Sequence, residues 1–210
     1  LHERKTDDLI SCLRHPNKWF RQRATLALGW RGDKTAVNKL ASMVDEGSLE
    51  ALGTLNLLQE LTDDRAATWL QNPNADIRRW VIRLLGDQHR AHESLIATAL
   101  TESDVQVRSQ LAATAKRIDA QVALPIIQAL IANDSDATDP QMPLMVWWAL
   151  EGHASAWPEI KPILTDSKIW SLPLFRDHIA SRLMQRYAAS GSPTELQHCA
   201  ELLKLAPEEA

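Results

Sequence analysis

Two stretches of the chain, HPNKWFR at residues 15–21 and QNPNADIR at residues 71–78, follow the same pattern. In each, a proline is followed five residues later by an arginine that has an apolar residue directly before it. Each stretch runs into a helix-forming segment that ends in Leu-Gly, at residues 28–29 and 85–86. A pattern that returns at intervals of a few tens of residues is typical of repeat architectures, so the repeat unit decides the fold.

The arginines of these stretches serve as anchors for six units of nearly constant length. Successive anchors are 29, 28, 30, 37 and 31 residues apart. The residues one before, three after and seven after an anchor share one helix face, because they are four positions apart. Of these 18 positions, 16 are apolar and two are glycine. The anchors are Arg21, Glu50, Arg78, Arg108, Met145 and Arg176.

A further helix precedes each anchored helix, so the units are helical hairpins. Neighbouring hairpins must stack to bury their apolar faces, which predicts an all-α solenoid of about six hairpins with a C-terminal capping helix. We expect a single repeat domain over residues 1–210, wound as a right-handed superhelix without a sheet. The expected first helices cover roughly residues 6–14, 34–45, 64–71, 92–101, 121–132 and 157–165, and the cap lies near 194–205. Asn17, Glu46, Asn74 and Asp104 stand four residues before their anchors, and the two asparagines and the aspartate are the expected N-caps.

The composition supports a helical protein and argues against several function classes. Eight tryptophans stand against one tyrosine and two phenylalanines, whereas a β-sandwich or barrel would need more tyrosine, phenylalanine and turn glycine. The net charge of −4 disfavours a nucleic-acid partner, because nucleic-acid-binding domains are basic. No apolar run approaches about 18 residues, so we expect no membrane span in this segment. Cys12 and Cys199 lie near opposite ends, which predicts separate thiols.

The pattern apolar-Arg-x-x-small-small-x-x-Leu-Gly resembles short bacterial HEAT repeats, and this resemblance covers nearly the whole chain. Six stretches in order also resemble one family of large exported bacterial proteins. In that family, a β-propeller of the sugar-dehydrogenase kind precedes this segment and a c-type cytochrome domain follows it. The stretches are RHPNKWFRQRA, DIRRWVIRLLGD, VQVRSQLAATAKR, ALPIIQALI, PLMVWWALEGHA and RLMQRYAASG.

The resemblance implies that the chain is part of a larger exported, periplasmic protein. A start at Leu1 rather than methionine agrees with that expectation. The family's haem motif Cys-x-x-Cys-His is absent from this sequence, so we expect no cofactor here. The implied partners are the neighbouring domains or another protein, bound by a monomeric chain.

Arginine and tryptophan residues are the candidate functional positions. We expect the anchor arginines Arg21, Arg78, Arg108 and Arg176 to be structural, because a planar five-donor head suits ties between hairpins. Helical phase predicts Trp148 in the core. It places residues two after the anchors on an inner, concave surface, where they could form a binding groove with flanking arginines. The expected groove residues are Arg23, Arg79, Trp80, Arg83, Gln110, Trp147 and His178.

Metal sites and catalytic signatures are weak in this sequence. His89, His92 and Glu93 have metal-ligand spacing but no further ligands, so we predict no metal site there. An insertion at residues 133–140 carries three aspartates but lacks the glycine and glutamate of a calcium loop, which predicts a polar surface loop. No Ser-His-Asp set, phosphate loop or zinc signature occurs. We therefore expect a non-enzyme.

The leading expectation is a non-catalytic scaffold or protein-interaction module that links a dehydrogenase-like propeller to a cytochrome c domain. The alternative is a HEAT-like DNA-binding protein or alkylbase DNA glycosylase that uses a concave groove of tryptophan and arginine. Trp80 with Arg79 and Arg83 allows this alternative. The negative net charge opposes it, because DNA affinity depends largely on neutralising phosphates.

Overall fold

The computed structural model describes residues 4–207, which are entirely helical apart from their connections. Helices make up 74% of the structure, and residues 4–207 contain no strand, which confirms the all-α prediction. None of the helices in this range is long and apolar enough to cross a membrane. The α-helices are α1 (Thr6–Cys12), α2 (Lys18–Arg31), α3 (Val37–Asp45), α4 (Leu49–Leu57), α5 (Asp63–Trp69), α6 (Ala75–Asp87), α7 (Ser94–Thr101), α8 (Val105–Ala115), α9 (Ala120–Ile131), α10 (Met142–Glu151), α11 (Trp157–Thr165), α12 (Ala180–Ser190) and α13 (Pro193–Leu205).

The chain divides into two compact units, one up to Leu84 and one from Leu85 onward. In the first unit, α1 packs on α2, α3 packs on α4, and α2 packs on α4. The second helices of these hairpins thus contact one another directly. Gly29 permits this approach, because a Cβ built there would lie 2.8 Å from the Cβ of Leu57.

The second unit has two layers of helices. The first helices α7, α9 and α11 pack in succession, and the second helices α8, α10 and α12 form the other layer. Contacts of α9 with α8 and α10 join the layers, and α13 covers α11 and α12. This alternation is the arrangement expected of stacked helical hairpins. Before α12, a 3-10 helix (Ser167–Ser171) and a π-helical turn (Phe175–Ile179) interrupt the regular pattern.

The helix starts follow the capping prediction. Side chains of Asn17, Asn74 and Asp104 accept backbone N–H bonds at the starts of α2, α6 and α8. Glu46 follows the last residue of α3, and Gly47 turns the chain with a φ of 95°. Ser48 caps α4 instead, its hydroxyl accepting from the N–H of Ala51 at 3.2 Å.

The helical phase predicted for α10 is also wrong. Trp147, expected on an open surface, is buried at 7% exposure, whereas Trp148, expected in the core, is 43% exposed. The buried residues of α10 repeat those of α8 at a distance of 35 residues, as Val146 does for Leu111. Pro143 is therefore the residue of the repeat that corresponds to Arg108, and it lies two residues before the expected anchor Met145. Without an arginine to mark the register, an almost wholly apolar helix fits several phases equally well.

The helix α4 shows a comparable shift for the same reason. Leu57 was expected to face the core but is 47% exposed, while Leu52 and Leu55 are buried. Both helices with a wrong register lack the anchor arginine. Where the arginine is present in α2, α6 and α8, the residue three after the anchor is fully buried at Ala24, Val81 and Leu111.

Candidate binding groove in the first unit

Three anchor arginines tie the start of their own helix to the preceding loop. Nη1 of Arg21 donates to the carbonyls of His15 and Pro16, both at 3.0 Å. Nη1 of Arg78 donates to the carbonyls five and six residues earlier, at 3.2 and 2.8 Å. Nη1 of Arg108 likewise donates to the carbonyls five and six residues earlier, at 2.7 and 3.2 Å. Each guanidinium thus satisfies two carbonyls of the loop that precedes its helix.

Arg21 and Arg108 also reach a carboxylate of the next hairpin. Nε of Arg21 donates to Glu50 at 2.6 Å. Arg108 donates through Nε and Nη2 to both carboxylate oxygens of Asp136, at 2.7 and 2.6 Å. The hydrogen bonds to Asp136 raise the pKa of Arg108, so its guanidinium stays charged although it is buried.

Asp136 corrects the prediction for the loop at residues 133–140. Its side chain is only 2% exposed, so this part of the loop is a structural tie and not polar surface. Asp139 is also engaged, because its carboxylate accepts the N–H groups of Gln141 and Met142 and caps α10. These hydrogen bonds lower the pKa of Asp139. Arg21 is followed by its partner Glu50 after 29 residues, and Arg108 is followed by its partner Asp136 after 28 residues. This similar spacing is the sequence signal that could have predicted the partner of Arg108.

Arg176 does not make such a tie. Its Nε donates to the adjacent Asp177 at 2.7 Å, and both side chains are about half exposed. The structural role predicted for Arg176 is therefore wrong. The π-helical turn over Phe175–Ile179 changes the local geometry, so the arginine does not follow a regular helix start.

A groove runs across α2, α4 and α6 in the first unit. It encloses about 630 Å³, within the range of about 300–1,000 Å³ typical of ligand sites. We call it the α2–α4–α6 groove. Its lining is mainly apolar and comprises Lys18, Gln22, Thr25, Leu26, Leu49, Glu50, Leu52, Gly53, Trp80 and Leu84.

Gly53 opens the middle of the α2–α4–α6 groove. A Cβ built at this position would meet no atom within 4 Å, so the missing side chain is what leaves the space. The register shift of α4 puts Gly53 on this surface and not among the core residues. Glycine costs a helix interior about 0.5–1 kcal/mol relative to alanine. Gly53 thus leaves the groove open at some cost to the helical stability of α4.

Two arginine–tryptophan pairs lie on α2 and α6, and one of them includes the lining residue Trp80. The guanidinium carbon of Arg83 lies 5.0 Å from the centre of the Trp80 ring, and that of Arg23 lies 5.9 Å from the Trp19 ring. Both distances fit cation–π contacts. Trp19 is exposed and was not among the predicted groove residues, because it lies two positions before its anchor and not two after it.

The remaining expected groove residues have other contacts. Of the seven, only Trp80 lines the groove. Arg79 pairs with Asp76 on its own helix at 2.7 Å. In the second unit, the amide of Gln110 donates to the Thr114 hydroxyl. Nε2 of His178 bonds the carbonyl of residue 137, and Trp147 is buried, so its predicted place on a binding surface is wrong.

The candidate metal ligands are engaged in backbone contacts. Nδ1 of His89 donates to the carbonyl of Arg117 at 2.8 Å, and Nδ1 of His92 accepts from the N–H of Ser94 at 3.2 Å. In the part of the chain that the structure describes, no three histidine, cysteine or acidic residues are grouped as for a metal ion. Cys12 and Cys199 are both free thiols.

The groove offers binding surface and few groups for proton transfer. Lys18 and Glu50 are the titratable residues in its lining, and Glu50 accepts from Arg21. No family model, curated protein or solved structure matches this chain. The arrangement is suited to hold apolar side chains of a ligand between leucines, a tryptophan and an open glycine.

Proposed function

We propose that the chain is a non-catalytic scaffold that binds a protein segment in the α2–α4–α6 groove. The observation that carries this proposal is the open apolar channel across three successive second helices, kept clear by Gly53. A channel that crosses consecutive helices can hold several side chains spaced along one peptide. Helix-in-groove recognition uses such anchors at positions i, i+3, i+4 and i+7.

The resemblance to exported proteins with a propeller and a cytochrome domain supplies the context of the proposal. In that context, the bound segment belongs to a neighbouring domain or to a partner protein in the periplasm. The hairpin stack of the second unit supports a spacer role, because stacked hairpins extend in one direction and keep flanking domains apart.

A DNA glycosylase is not favoured by the composition of the groove. Its lining contains one lysine and one glutamate, and the rest is uncharged. A base-excision site needs a catalytic carboxylate. It also needs cationic residues that neutralise the phosphates of the DNA. Glu50 is held by the guanidinium of Arg21, which leaves this carboxylate little freedom as a base.

Site-specific photo-crosslinking tests the proposal. A photoreactive phenylalanine analogue replaces Gln22, an exposed residue of the groove lining, in cells that express the full protein. We expect one predominant adduct, to a defined protein segment that mass spectrometry identifies. The same analogue at Ala97, an exposed position of α7 in the second unit, serves as the control.

Introducing Gly53→Leu into the Gln22 variant should remove the adduct, since the leucine fills the groove. Adducts of equal yield and identity from positions 22 and 97 would contradict a groove-specific partner. Adducts to nucleic acid would contradict a protein partner.

A further inference from the structure

The charges of the first unit are segregated between its two sets of helices. The second helices α2 and α4, with α6 up to Leu84, carry seven basic and two acidic residues, a net charge of +5. The first helices α1, α3 and α5 carry two basic and five acidic residues, a net charge of −3. The overall charge of −4 hides this division. The basic residues of the second helices are Lys18, Arg21, Arg23, Arg31, Arg78, Arg79 and Arg83.

The acidic residues of the second helices are already neutralised. Glu50 accepts from Arg21 at 2.6 Å, and Asp76 accepts from Arg79 at 2.7 Å. Lys18 belongs to the groove lining, and the guanidinium of Arg83 lies over the ring of Trp80, another lining residue. A ligand in the groove therefore meets an apolar floor with cationic edges, and carboxylates beside its apolar side chains match this field.

An acidic peptide fits these observations better than a nucleic acid. Several guanidinium groups are committed to carbonyl and carboxylate oxygens, as Arg21 is to three of them. The floor is made of leucines and an open glycine, which offer nothing to a sugar–phosphate chain. A peptide with apolar anchors and flanking acidic residues complements both the apolar lining and the cationic residues of the groove.

We infer that the α2–α4–α6 groove binds an acidic amphipathic helix whose apolar face carries a large side chain that enters the space above Gly53. This inference rests on the proposed function and names the chemistry of its partner. The apolar anchor supplies most of the affinity, and the acidic flanks supply the preference over other amphipathic helices.

Two synthetic peptides of about four helical turns test the inference. Both carry the same leucine and tryptophan face, and one has glutamates where the other has lysines. Binding of the fluorescently labelled peptides is measured by anisotropy. We expect the glutamate peptide to bind about tenfold more tightly. The difference should shrink between about 0.1 M and about 1 M salt, because the Debye length falls from about 10 Å to about 3 Å.

Two variants connect the binding to the groove. Gly53→Leu should weaken both peptides, and Ala97→Leu in α7 should weaken neither. Lys18→Glu should reduce the preference for the glutamate peptide, and Lys168→Glu, with the same change of net charge in the second unit, should not. Lys18→Glu suits the first turn of α2, since an acid there interacts well with the helix dipole, so loss of folding is not expected.

Four outcomes would overturn the inference. Equal or tighter binding of the lysine peptide, still sensitive to Gly53→Leu, would refute the acidic partner and leave the proposed function standing. Absence of binding by either peptide would refute the amphipathic helix, and the crosslinking experiment then decides the proposed function by itself. Displacement of the glutamate peptide by an oligonucleotide would favour a nucleic acid. Self-association abolished by Gly53→Leu would place a second copy of the chain in the groove.

Discussion

Removal of the Asp136 carboxylate should destabilise the second unit strongly. Arg108 makes four hydrogen bonds, two to Asp136 and two to the carbonyls of Glu102 and Ser103. Asp136→Ala keeps the carbonyl contacts and leaves a buried guanidinium with two unmatched donors and no countercharge. The side chains of Arg108 and Asp136 are 7% and 2% exposed, so water cannot easily take the place of the carboxylate.

The magnitude follows from these contacts. A hydrogen bond to a charged group contributes about 1.5–3 kcal/mol, so two of them contribute about 3–6 kcal/mol. Breaking a buried ion pair by removing one partner costs about 3–5 kcal/mol. We therefore expect Asp136→Ala to lower the free energy of unfolding by about 3–5 kcal/mol. Domains are stable by about 5–15 kcal/mol, so the variant loses a large share of that stability.

Urea denaturation followed by circular dichroism measures the loss, and hydrogen exchange of the α8 amides locates it. Arg14→Ala is the matched control, because Arg14 and Glu46 form an exposed pair and its removal should cost less than about 1 kcal/mol. The double variant Arg108→Met with Asp136→Leu should recover most of the stability, since no charge then stays buried. A loss below about 1 kcal/mol for Asp136→Ala, or a double variant less stable than the single one, would refute the reasoning.

Three further predictions concern helix packing, the single tyrosine and cofactors. Gly29→Ala should destabilise the first unit by about 1–3 kcal/mol, because its Cβ would lie 2.8 Å from that of Leu57. Gly53→Ala should stabilise the same unit by about 0.5–1 kcal/mol in urea denaturation. A stabilising effect of Gly29→Ala or a destabilising effect of Gly53→Ala would contradict this account. Burial raises the pKa of Tyr187, whose hydroxyl donates to a backbone carbonyl at 2.9 Å. The contribution of the buried neutral phenol to the free energy of unfolding is therefore complete below about pH 10, and it is lost as the pH rises above that value. The chain has one tyrosine, and phenolate absorbance appearing near pH 10 while the helices persist would disprove its burial. The purified chain should show no Soret band and no stoichiometric metal in elemental analysis, and either signal would overturn the non-catalytic proposal.

Sequence periodicity predicted the helices well. The expected cap near residues 194–205 is α13 at Pro193–Leu205, and the expected helix at 157–165 has the same bounds as α11. Local patterns decide such elements, because apolar spacing and capping residues act within a few residues. The pattern predicted no cap for α4, where Gly47, with a positive φ, lies between the end of α3 and the start of α4.

The groove was predicted only in part, because its shape depends on the phase of α4. Trp80 was expected on a binding surface and lines the groove. The role of Gly53 was missed, since the assumed anchor Glu50 placed this glycine on the core face. A helix without an arginine anchor needs the packing of its neighbours to fix its rotation, and a single sequence does not contain that information directly.

The tie between Arg108 and Asp136 also bears on the order in which the chain assembles. A growing polypeptide leaves the ribosome from its N-terminus, so the guanidinium emerges 28 residues ahead of its carboxylate. Until the loop after α9 is made, the guanidinium of Arg108 must stay hydrated. The α7–α8 hairpin therefore cannot exclude water from the start of α8. We expect a nascent chain released after Ile131 to keep this hairpin open to proteases, and a chain that extends past residue 140 to close it.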